Sequence, residues 1–505
     1  MRYIKAVVMI LICVYFCSDI IYSGTVYVYG SDGEFFESNP NMKIGLIYGS
    51  GAVTSFQTSS ETGFLLGYVG RNSSDKFNVL FYTDSRKILV SHAGNNILRV
   101  VNPDTGDIIL EYEDGENNFA AAAAAESNKN LSAGDAIYEL SSENAGFITT
   151  PANNLNTGAF IYRPAGSGIE VINLISLEDY IKGVLPYEIS PSWPEESQKA
   201  FSVAVRSYSL RSAGRHADAG FMLCNSTHCQ FYAGARRATA ASDSAVDSTK
   251  DLAAVYNNQI IESVYHSSSG GVTENHNDAW GGQMRLPYLS SVKVPLEKYD
   301  TPGRNNSLWT NRVSPSALFA YLTGESGQAS RFRGRLDSDI ASIVITERSP
   351  SSNYIKGVRV TDINGNSVGI QNSDTVRSAF SKYANSANMD IYKDSKFRSF
   401  MISGSNNIIN RDIESGVTHI LTANGLTVST PGDGKLHILT GNGRYSVSAY
   451  SSGSDFIFDG RGWGHGVGLS QWGMYDMALA GLKYQDILKA FYTGISIEKI
   501  TEIRK

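Results

Sequence analysis

Hydrophobic and polar residues alternate in short runs over the first fifth of the chain. The runs, separated by turn-forming residues such as Gly, Ser, Asn and Asp, are residues 25–29, 43–48, 77–82, 88–90 and 98–101. Alternation with a period of two is typical of strands that bury one face. The pattern therefore predicts a β-rich region, which we extend over residues 24–168. The alanine tract Ala120–Ala125 lies within it and is interpreted as a short helix or linker without a function.

Two adjacent helices are predicted soon after residue 169. Ser176-Leu-Glu-Asp179 is a capping box with Asp in the place of Glu, and it predicts a helix that ends at Pro186. Pro194 suits the first turn of a second helix, whose apolar stripe runs to about Ser212. The rest of the chain predicts an α+β mixture, with strands at 343–346 and 455–459, a glycine loop at 460–469 and a helix capped by Ser470. The expected fold class is α+β, with the β-rich region followed by a mixed α/β domain over 169–505.

The first 23 residues have the pattern of an export signal or a membrane anchor. Arg2 and Lys5 precede an uncharged run from Ala6 to Cys17, as in the basic and apolar parts of a signal peptide. The apolar length is marginal for a membrane-spanning helix, and no clear small-residue cleavage site follows it. A cleaved signal and a retained anchor therefore both remain open, with the anchor favoured. Either segment predicts a protein outside the cytoplasm, attached to the membrane if the segment is retained.

Charge and cysteine content exclude two classes of protein. The 43 Lys and Arg residues against 49 Asp and Glu residues give a formal charge of −6, so no basic footprint favours a nucleic-acid partner. Four cysteines are too few for a disulfide framework in a chain of this length. Only Cys224 and Cys229 belong to the predicted folded body.

Glu188 is the carboxylate most suggestive of catalysis. Its neighbours from Leu185 to Trp193 are mainly apolar or proline, and no basic residue is nearer in sequence than Lys182. A carboxyl group in apolar surroundings loses hydration of its ionised form, so its pKa rises and it can act as a general acid near neutral pH. The alternatives are that Glu188 caps the following helix or is simply solvated.

His216, Cys224, His228 and Cys229 are four metal-binding residue types within one short segment. Three of them form a Cys-x3-His-Cys loop that is tight enough to share a tetrahedral cation, and His216 can complete the shell. A shell made wholly of protein ligands would hold structural zinc. A disulfide between the two cysteines, or two free thiols, remain as alternatives.

The segment from Gly460 to Gly473 combines glycines with two tryptophans, a histidine and a glutamine. It contains no Lys-Ser/Thr pair after the glycines and therefore does not match a phosphate-binding loop. Aromatic faces and amides suit sugar rings, so the segment is consistent with binding an uncharged polymer, whereas a tight structural turn is the alternative. The segment 264–274 places His266 and hydroxyl groups before a Gly-Gly turn, but it lacks the nucleophile elbow of serine hydrolases.

Several blocks of the sequence resemble the stage II sporulation protein D family. They are residues 177–188 with 193–194 and 199–208, then 227–232, 266–273 and 462–473, in the family's order. The resemblance implies a catalytic domain with a cleft that acts as a lytic transglycosylase on peptidoglycan glycan strands lacking stem peptides. Such enzymes cleave between N-acetylmuramic acid and N-acetylglucosamine without water and leave a 1,6-anhydro end. The implied setting is remodelling of the cell wall during sporulation.

The resemblance also implies roles for individual residues. The family's catalytic glutamate falls on Glu188, and its structural zinc ligands fall on His216, Cys224, His228 and Cys229. Candidates for lining the glycan groove are Arg206, Tyr208, His266, Ser268, Thr273, His465, Gln471 and Tyr492. Members often have Cys where this chain has Ser269.

One carboxyl can serve this reaction because the sugar's own C6 hydroxyl replaces water as the nucleophile. The expected partner is an amidase that supplies peptide-free strands. The alternative function is a non-catalytic wall-binding enhancer of such an amidase, and a zinc hydrolase is a weaker third.

Overall fold

The computed structural model describes residues 38–503, apart from 72–75, 139, 143–145, 283–285, 299–307, 325–328, 394–398, 405–406, 413–418, 422–426, 430–434, 441–442 and 449–454. The predicted export segment at 1–23 and the predicted strand at 25–29 lie outside the described residues. No helix within the described part of the chain is long and apolar enough to cross a membrane.

The described part of the N-terminal region is built mainly from two packed sheets. Their strands are β1 Asn41–Ile47, β2 Ser55–Ser59, β3 Phe64–Gly70, β4 Phe77–Thr83, β5 Lys87–Gly94, β6 Ile97–Val101, β7 Ile108–Glu113, β8 Asn117–Ala123, β9 Ala136–Ile137, β10 Ile148–Thr149, β11 Leu155–Asn156, β12 Ala159–Ala165, β13 Gly168–Ser176 and β14 Leu223–Cys224. The larger sheet has the order β14-β1-β13-β12-β8-β3-β4-β9, and the smaller has the order β11-β10-β2-β5-β6-β7. Strands are thus found at the predicted runs 43–48, 77–82, 88–90 and 98–101.

The larger sheet crosses the expected boundary at residue 168. Strand β13 pairs antiparallel with β1 and β12, and β1 also pairs in parallel with β14 from the following region. One face of this sheet packs against the smaller sheet, and the other packs against helices of the following region. The two predicted regions therefore share one sheet and one continuous core.

The alanine tract is a strand in the structure, and its prediction as a helix or linker was wrong. Strand β8 lies between β3 and β12 in the middle of the larger sheet, and Ala120 to Ala124 are fully buried. Ala120 and Ala122 face the helices, whereas Ala121 and Ala123 face the smaller sheet. Both faces of β8 are covered, so small side chains let two layers approach it, and this packing overrides the helical preference of alanine.

Helices follow the sheets, as the sequence predicted. They are α1 Leu177–Glu188, α2 Glu195–Arg211, α3 Ala240–Asp247, α4 His276–Trp280, α5 Pro315–Thr323, α6 Ala329–Phe332, α7 Ser373–Ala379, α8 Gln471–Leu479 and α9 Tyr484–Phe491. The side chain of Ser176 accepts a hydrogen bond from the backbone N–H of Asp179 and caps α1. Likewise, Ser470 caps α8 by accepting from Gly473. The α+β class is confirmed.

The remaining strands form small sheets. They are β15 Leu252–Tyr256, β16 Gln259–Ile260, β17 Tyr265–His266, β18 Leu308–Val313, β19 Ile340–Arg348, β20 Ile355–Asp362, β21 Ser367–Gln371, β22 Met389–Lys393, β23 Ser399–Gly404, β24 Asn407–Asp412, β25 His419–Leu421, β26 Thr427–Ser429, β27 Lys435–Thr440, β28 Gly443–Ser448, β29 Phe456–Arg461, β30 Leu469–Ser470 and β31 Ser496–Lys499. Their orders are β16-β15-β31, β17-β30, β18-β29-β22, β19-β20-β21, β23-β24 and β25-β26-β27-β28. The sheets of β18–β22 and β29 enclose a separate core with α5 and α7.

The short pairing of β17 with β30 positions the functional site. Tyr265 pairs with Leu469 and His266 pairs with Ser470 in a parallel arrangement. This pairing joins the start of α8 to a segment about 200 residues earlier in the chain. It thereby brings the C-terminal glycine loop next to the end of α1.

Candidate active site

A cleft of about 510 Å³ opens at the C-terminal end of α1. Its lining comes from the loop after α1, from a turn before α3, from the residue after β17 and from the start of α8. The lining residues are Pro186, Tyr187, Glu188, Ile189, Ser190, Pro191, Trp193, Arg237, Ser267, Gln471 and Trp472. The cleft therefore combines segments from the two most distinctive sequence blocks, the one around Glu188 and the glycine loop.

Glu188 is the last residue of α1, two positions beyond the predicted end of the helix. Pro186 lies inside the final turn, where its missing N–H removes one helical hydrogen bond near the end of the ladder. The backbone N–H of Ile189 still donates to the carbonyl of Leu185 at 3.0 Å. The helix therefore continues past the proline, and its end fixes the backbone of Glu188 at the edge of the cleft.

Burial raises the pKa of the Glu188 carboxyl above its ordinary value. The backbone N–H of Phe231, which hydrogen-bonds to the carboxyl, and the nearby side chains of Tyr265 and Gln471 act in the opposite direction but do not cancel it. The Phe231 N–H donates to Oε1 of Glu188 at 3.0 Å. The sheltered environment inferred from the sequence is therefore present, and it favours the protonated form of Glu188.

A buried polar chain lies behind Glu188. The Nε2 of Gln230 donates to the hydroxyl of Tyr265 at 3.4 Å, and the Oε1 of Gln230 accepts from Ser209 at 2.9 Å and from Tyr180 at 3.4 Å. The chain fixes the Tyr265 hydroxyl, which in turn contacts Glu188. Buried networks of this kind are rigid when their members are paired, so the carboxyl has a defined orientation.

Aromatic side chains surround the cleft on two sides. Trp193, Trp472 and Tyr475 form a cluster with ring centroids 5.0–5.4 Å apart. On the other side, the ring of Tyr187 lies 5.7 Å from that of Phe231 in an edge-to-face arrangement. Aromatic faces next to a carboxyl suit the apolar faces of pyranose rings.

The glycine loop approaches other backbone segments too closely for side chains. Gly462 and Gly468 adopt φ values of +81° and +72°, which glycine tolerates at low cost. A Cβ on Gly468 would lie 2.2 Å from the carbonyl oxygen of Val264. At the end of the loop, the Nε2 of Gln471 donates to the backbone carbonyl of Glu188 at 3.2 Å. The loop therefore delivers Gln471 to the site and is part of the structural scaffold.

The predicted metal ligands come together in space. The ligand atoms of His216, Cys224, His228 and Cys229 all lie within 4.8 Å of one another. Measured pairs are 3.3 Å for Cys229 Sγ to His216 Nε2, 3.7 Å for Cys224 Sγ to His228 Nδ1 and 3.6 Å for Cys229 Sγ to His228 Nδ1. Bond lengths of about 2.0–2.3 Å to tetrahedral zinc put ligands about 3.3–3.8 Å apart. The four residues therefore fit zinc, and the two cysteines are free thiols in the structure.

Of the eight predicted groove residues, the structure brings only Gln471 into the cleft. Arg206 is fully buried, and its Nε and Nη2 donate to the Glu178 carboxylate at 2.8 and 2.6 Å. Its Nη1 donates to the carbonyl of Leu252 at 3.0 Å. Arg206 is thus a core residue that ties α1 to α2 and β15. Its expected place in the groove is corrected.

The other six predicted groove residues do not line the cleft and are tied into the protein by hydrogen bonds. Tyr208 accepts from Arg215 at 2.6 Å, and Tyr492 donates to the carbonyl of Val264 at 2.9 Å. Ser268 donates to buried Glu297 at 2.6 Å. The remaining three are Thr273, which pairs with Val292, and His266 and His465, which hydrogen-bond to backbone groups.

The two histidines are neutral packing residues. Burial, with a smaller effect of His465, lowers the pKa of His266 to about 3, and burial lowers the pKa of His465 to about 4. The Nε2 of His465 lies 2.9 Å from the carbonyl of Tyr265, and its Nδ1 accepts from the N–H of Val467 at 3.0 Å. Both nitrogens of His465 are therefore used within the scaffold.

Several cleft residues were not predicted from the sequence. Tyr265 and Phe231 contact Glu188, and Ser267 and Arg237 line the cleft. Tyr265 adjoins the recognised block at 266–273, Ser267 lies within that block, and Phe231 lies within the block at 227–232, so their proximity to recognised motifs was the available signal. Arg237 is the last residue of a short turn at Ala235–Arg237 and had no signal in the sequence.

Replacing Arg206 by Met should lower the free energy of unfolding by about 3–5 kcal/mol, because it leaves the Glu178 carboxylate buried and unpaired. Urea denaturation of the two proteins measures the effect. The double substitution Glu178→Leu with Arg206→Met removes both charges and should recover much of the loss. Equal stability of parent and Arg206→Met would contradict the structural role of this pair.

One segment of the chain matches a known protein family. Residues 165–256 match the family model described as stage II sporulation protein. This range contains Glu188, all four predicted metal ligands and the Glu178–Arg206 pair. The resemblance read from the sequence is therefore confirmed over this segment, which is similar to the stage II sporulation protein D family.

Individual relatives extend the similarity. An uncharacterized protein of Brachyspira hyodysenteriae is 27% identical over 351 residues, 69% of this chain and 73% of the relative. An amidase enhancer of Bacillus subtilis is 27% identical over 326 residues, 63% of this chain and 40% of the relative. Stage II sporulation protein D of Bacillus subtilis is 29% identical over 181 residues, 33% of this chain and 51% of the relative. The chain thus spans about half or less of the two Bacillus subtilis relatives.

Proposed function

We propose that this protein is a lytic transglycosylase that cleaves peptide-free peptidoglycan strands between N-acetylmuramic acid and N-acetylglucosamine. The observation that carries the proposal is the position of Glu188, a carboxyl with a raised pKa at the edge of an aromatic-lined cleft. Glu188 is the only carboxyl among the described residues that line the cleft. A reaction that needs a single acid–base group therefore suits the site better than hydrolysis by two carboxyls.

In the proposed reaction Glu188 acts twice. Protonated Glu188 donates its proton to the glycosidic oxygen as the bond from muramic acid C1 breaks. The C6 hydroxyl of the same sugar then forms the new bond to C1, and its proton returns to the Glu188 carboxylate. No water is consumed, and the carboxyl ends in the protonation state in which it began. The Phe231 N–H and the Tyr265 hydroxyl support the carboxylate between the two steps.

The metal cluster supports the site indirectly in this proposal. His216, Cys224, His228 and Cys229 would hold zinc with all four positions taken by protein ligands, so the ion supplies a cross-link between chain segments. Gln230 and Phe231 follow Cys229 directly, and both contact the network around Glu188. A fixed cluster therefore fixes the orientation of the carboxyl.

The proposed setting is cell-wall remodelling during sporulation, and engulfment in particular, as the family resemblance implies; the name of the relative stage II sporulation protein D supports a role in sporulation. The protein would act outside the cytoplasm, exported or anchored through residues 1–23, together with an amidase that prepares its strands. A second candidate is a non-catalytic enhancer of that amidase. It is favoured by the similarity to the amidase enhancer of Bacillus subtilis, which extends over 326 residues.

Product analysis separates the candidates. The zinc-loaded full chain is incubated with peptide-free glycan, and the released ends are identified by mass spectrometry. The proposal predicts ends in 1,6-anhydro-N-acetylmuramic acid. Reducing ends would identify a hydrolase instead. Intact strands, together with faster release of stem peptides by an added amidase, would identify the enhancer.

A further inference from the structure

Arg237 is a cation in the cleft without a role in the proposed reaction. Its guanidinium carbon lies 4.7 Å from the ring centroid of Tyr187, the residue before Glu188. Tyr187 is itself fixed, since its hydroxyl donates to the carbonyl of Ala233 at 3.3 Å and its ring contacts Phe231. Cation–π contact of this kind orients a guanidinium plane. Arg237 is therefore held at the cleft that Glu188 also lines.

The side chain of Arg237 is solvent-exposed and has no carboxylate partner among the described residues. Its neighbour Arg236 differs, because the Nη2 of Arg236 donates to the side chain of Asn153 at 2.7 Å outside the cleft. Among the lining residues, Arg237 is the only cation and Glu188 is the only acid. With Glu188 protonated, the resting cleft carries one unpaired positive charge. A ligand that complements it must bring one anionic group close to the sugar at Glu188.

A peptidoglycan glycan strand carries an anionic group on the muramic acid sugar only when the stem peptide is absent. The backbone of N-acetylated sugars is uncharged, and muramic acid adds a lactyl ether at O3. When a stem peptide is attached, the lactyl carbonyl is an amide without charge. When the peptide is absent, the same carbon is a free carboxylate, which the guanidinium fork binds through two parallel hydrogen bonds.

We propose that Arg237 binds the free lactyl carboxylate of muramic acid and thereby selects peptide-free strands. This inference rests on the proposed function, in that the cleft must bind peptidoglycan glycan. If Arg237 requires the free carboxylate, the reaction that precedes glycan cleavage is hydrolysis of the lactyl amide. In that reaction water adds across the amide, leaving the carboxylate on the sugar and the amino group on the peptide. Arg237 is a specificity residue in this scheme, and the proton transfers remain with Glu188.

Binding measurements on the zinc-loaded full chain with Glu188→Gln test the inference without turnover. Three probes are compared: peptide-free glycan, the same glycan with its lactyl carboxylates converted to methyl amides, and an N-acetylglucosamine oligomer without lactyl groups. The starting protein should bind the free acid about 10- to 100-fold more tightly than the amide, the range expected for hydrogen bonds to a charged group. Adding Arg237→Gln should abolish this difference and leave affinity for the oligomer unchanged.

Arg236→Gln in the same background is the matched control and should keep the discrimination. Three results would overturn the inference. They are loss of the discrimination between free acid and amide in Arg236→Gln, persistence of this discrimination in Arg237→Gln, and its absence from the starting protein. An equal loss of affinity for all three probes in Arg237→Gln would also overturn it, since Arg237 would then act by supporting Tyr187.

The experiments distinguish failure of the proposed function from failure of the inference on Arg237. If the wild-type chain yields no anhydro ends but Arg237-dependent discrimination is measured, the catalytic proposal fails and the inference on Arg237 holds for a binding protein. If anhydro ends form equally fast from the free acid and the amide, the catalytic proposal holds and the inference on Arg237 fails.

Discussion

Replacing Glu188 by Gln is expected to slow cleavage of peptide-free glycan by about 10²- to 10⁴-fold, the contribution typical of a positioned general acid–base group. The amide cannot donate a proton to the glycosidic oxygen or accept one from the C6 hydroxyl. Its oxygen can still accept the hydrogen bond from the Phe231 N–H, so the loop and the cleft should remain in place. The rate of anhydro-end formation under single-turnover conditions measures the effect.

Glu195→Gln is the matched control for this substitution. Glu195 is exposed at the start of α2 and pairs with Lys199 four residues later, so its neutralisation should leave the rate unchanged. Thermal unfolding provides a second check on Glu188→Gln. Because burial raises the pKa of Glu188, the parent loses stability as pH rises through that pKa, whereas the Gln variant does not. The variant should therefore be at least as stable as the parent at neutral pH. An active Glu188→Gln protein would contradict the proposed mechanism.

Removing the metal should have the largest effect on stability. Structural zinc sites contribute apparent binding free energies of about 10–16 kcal/mol, which matches or exceeds the total stability of about 5–15 kcal/mol of a typical domain. The cluster joins β14 to the segment after α2. Phe231, whose backbone N–H donates to the Glu188 carboxyl, lies two residues beyond Cys229. We therefore expect chelation, or Cys229→Ser, to lower the unfolding temperature strongly and to abolish cleavage with it.

Elemental analysis and calorimetry test this expectation together. The purified protein should contain one zinc ion per chain, and its unfolding temperature should fall on chelation and recover when zinc is returned. His92→Ala replaces a histidine on β5, in a different part of the protein, and should leave the zinc content unchanged. A metal-free protein with the same unfolding temperature, or a disulfide between Cys224 and Cys229, would exclude the structural zinc site.

The sequence predicted elements well where one local signal determined them. Ser176 and Ser470 cap helices as expected, and the alternating runs are strands, because caps and alternation depend on neighbouring residues. The alanine strand β8 was missed because its conformation depends on layers that cover both its faces. The helical end at Glu188 was missed because a proline favours a helix boundary at the preceding residue, whereas α1 keeps Pro186 inside its last turn.

Predictions of the candidate site also succeeded where the signal is local and failed where it is not. Glu188 and the four candidate metal ligands could be singled out because their chemistry is visible in short segments, and the structure brings the four candidate ligands together. Groove residues were predicted from motif membership, and only Gln471 reaches the cleft. Arg206 and Ser268 have buried carboxylate partners, Glu178 and Glu297, that lie 28 and 29 residues away, and sequence spacing does not show such pairings. Arg237 reaches the cleft through a turn that carries no motif.

The central claim is that Glu188 begins the reaction protonated because its surroundings disfavour the charged form, and the pH dependence of single-turnover cleavage tests it most directly. Because the pKa of Glu188 is raised, the cleavage rate should stay level as pH passes through the ordinary glutamate pKa of about 4.3. The rate should fall tenfold per pH unit only above the higher pKa of Glu188. The residual rate of Glu188→Gln should lack this fall. A parent rate that instead increases as pH rises through the ordinary glutamate range would show that the ionised carboxylate starts the reaction and would contradict the account.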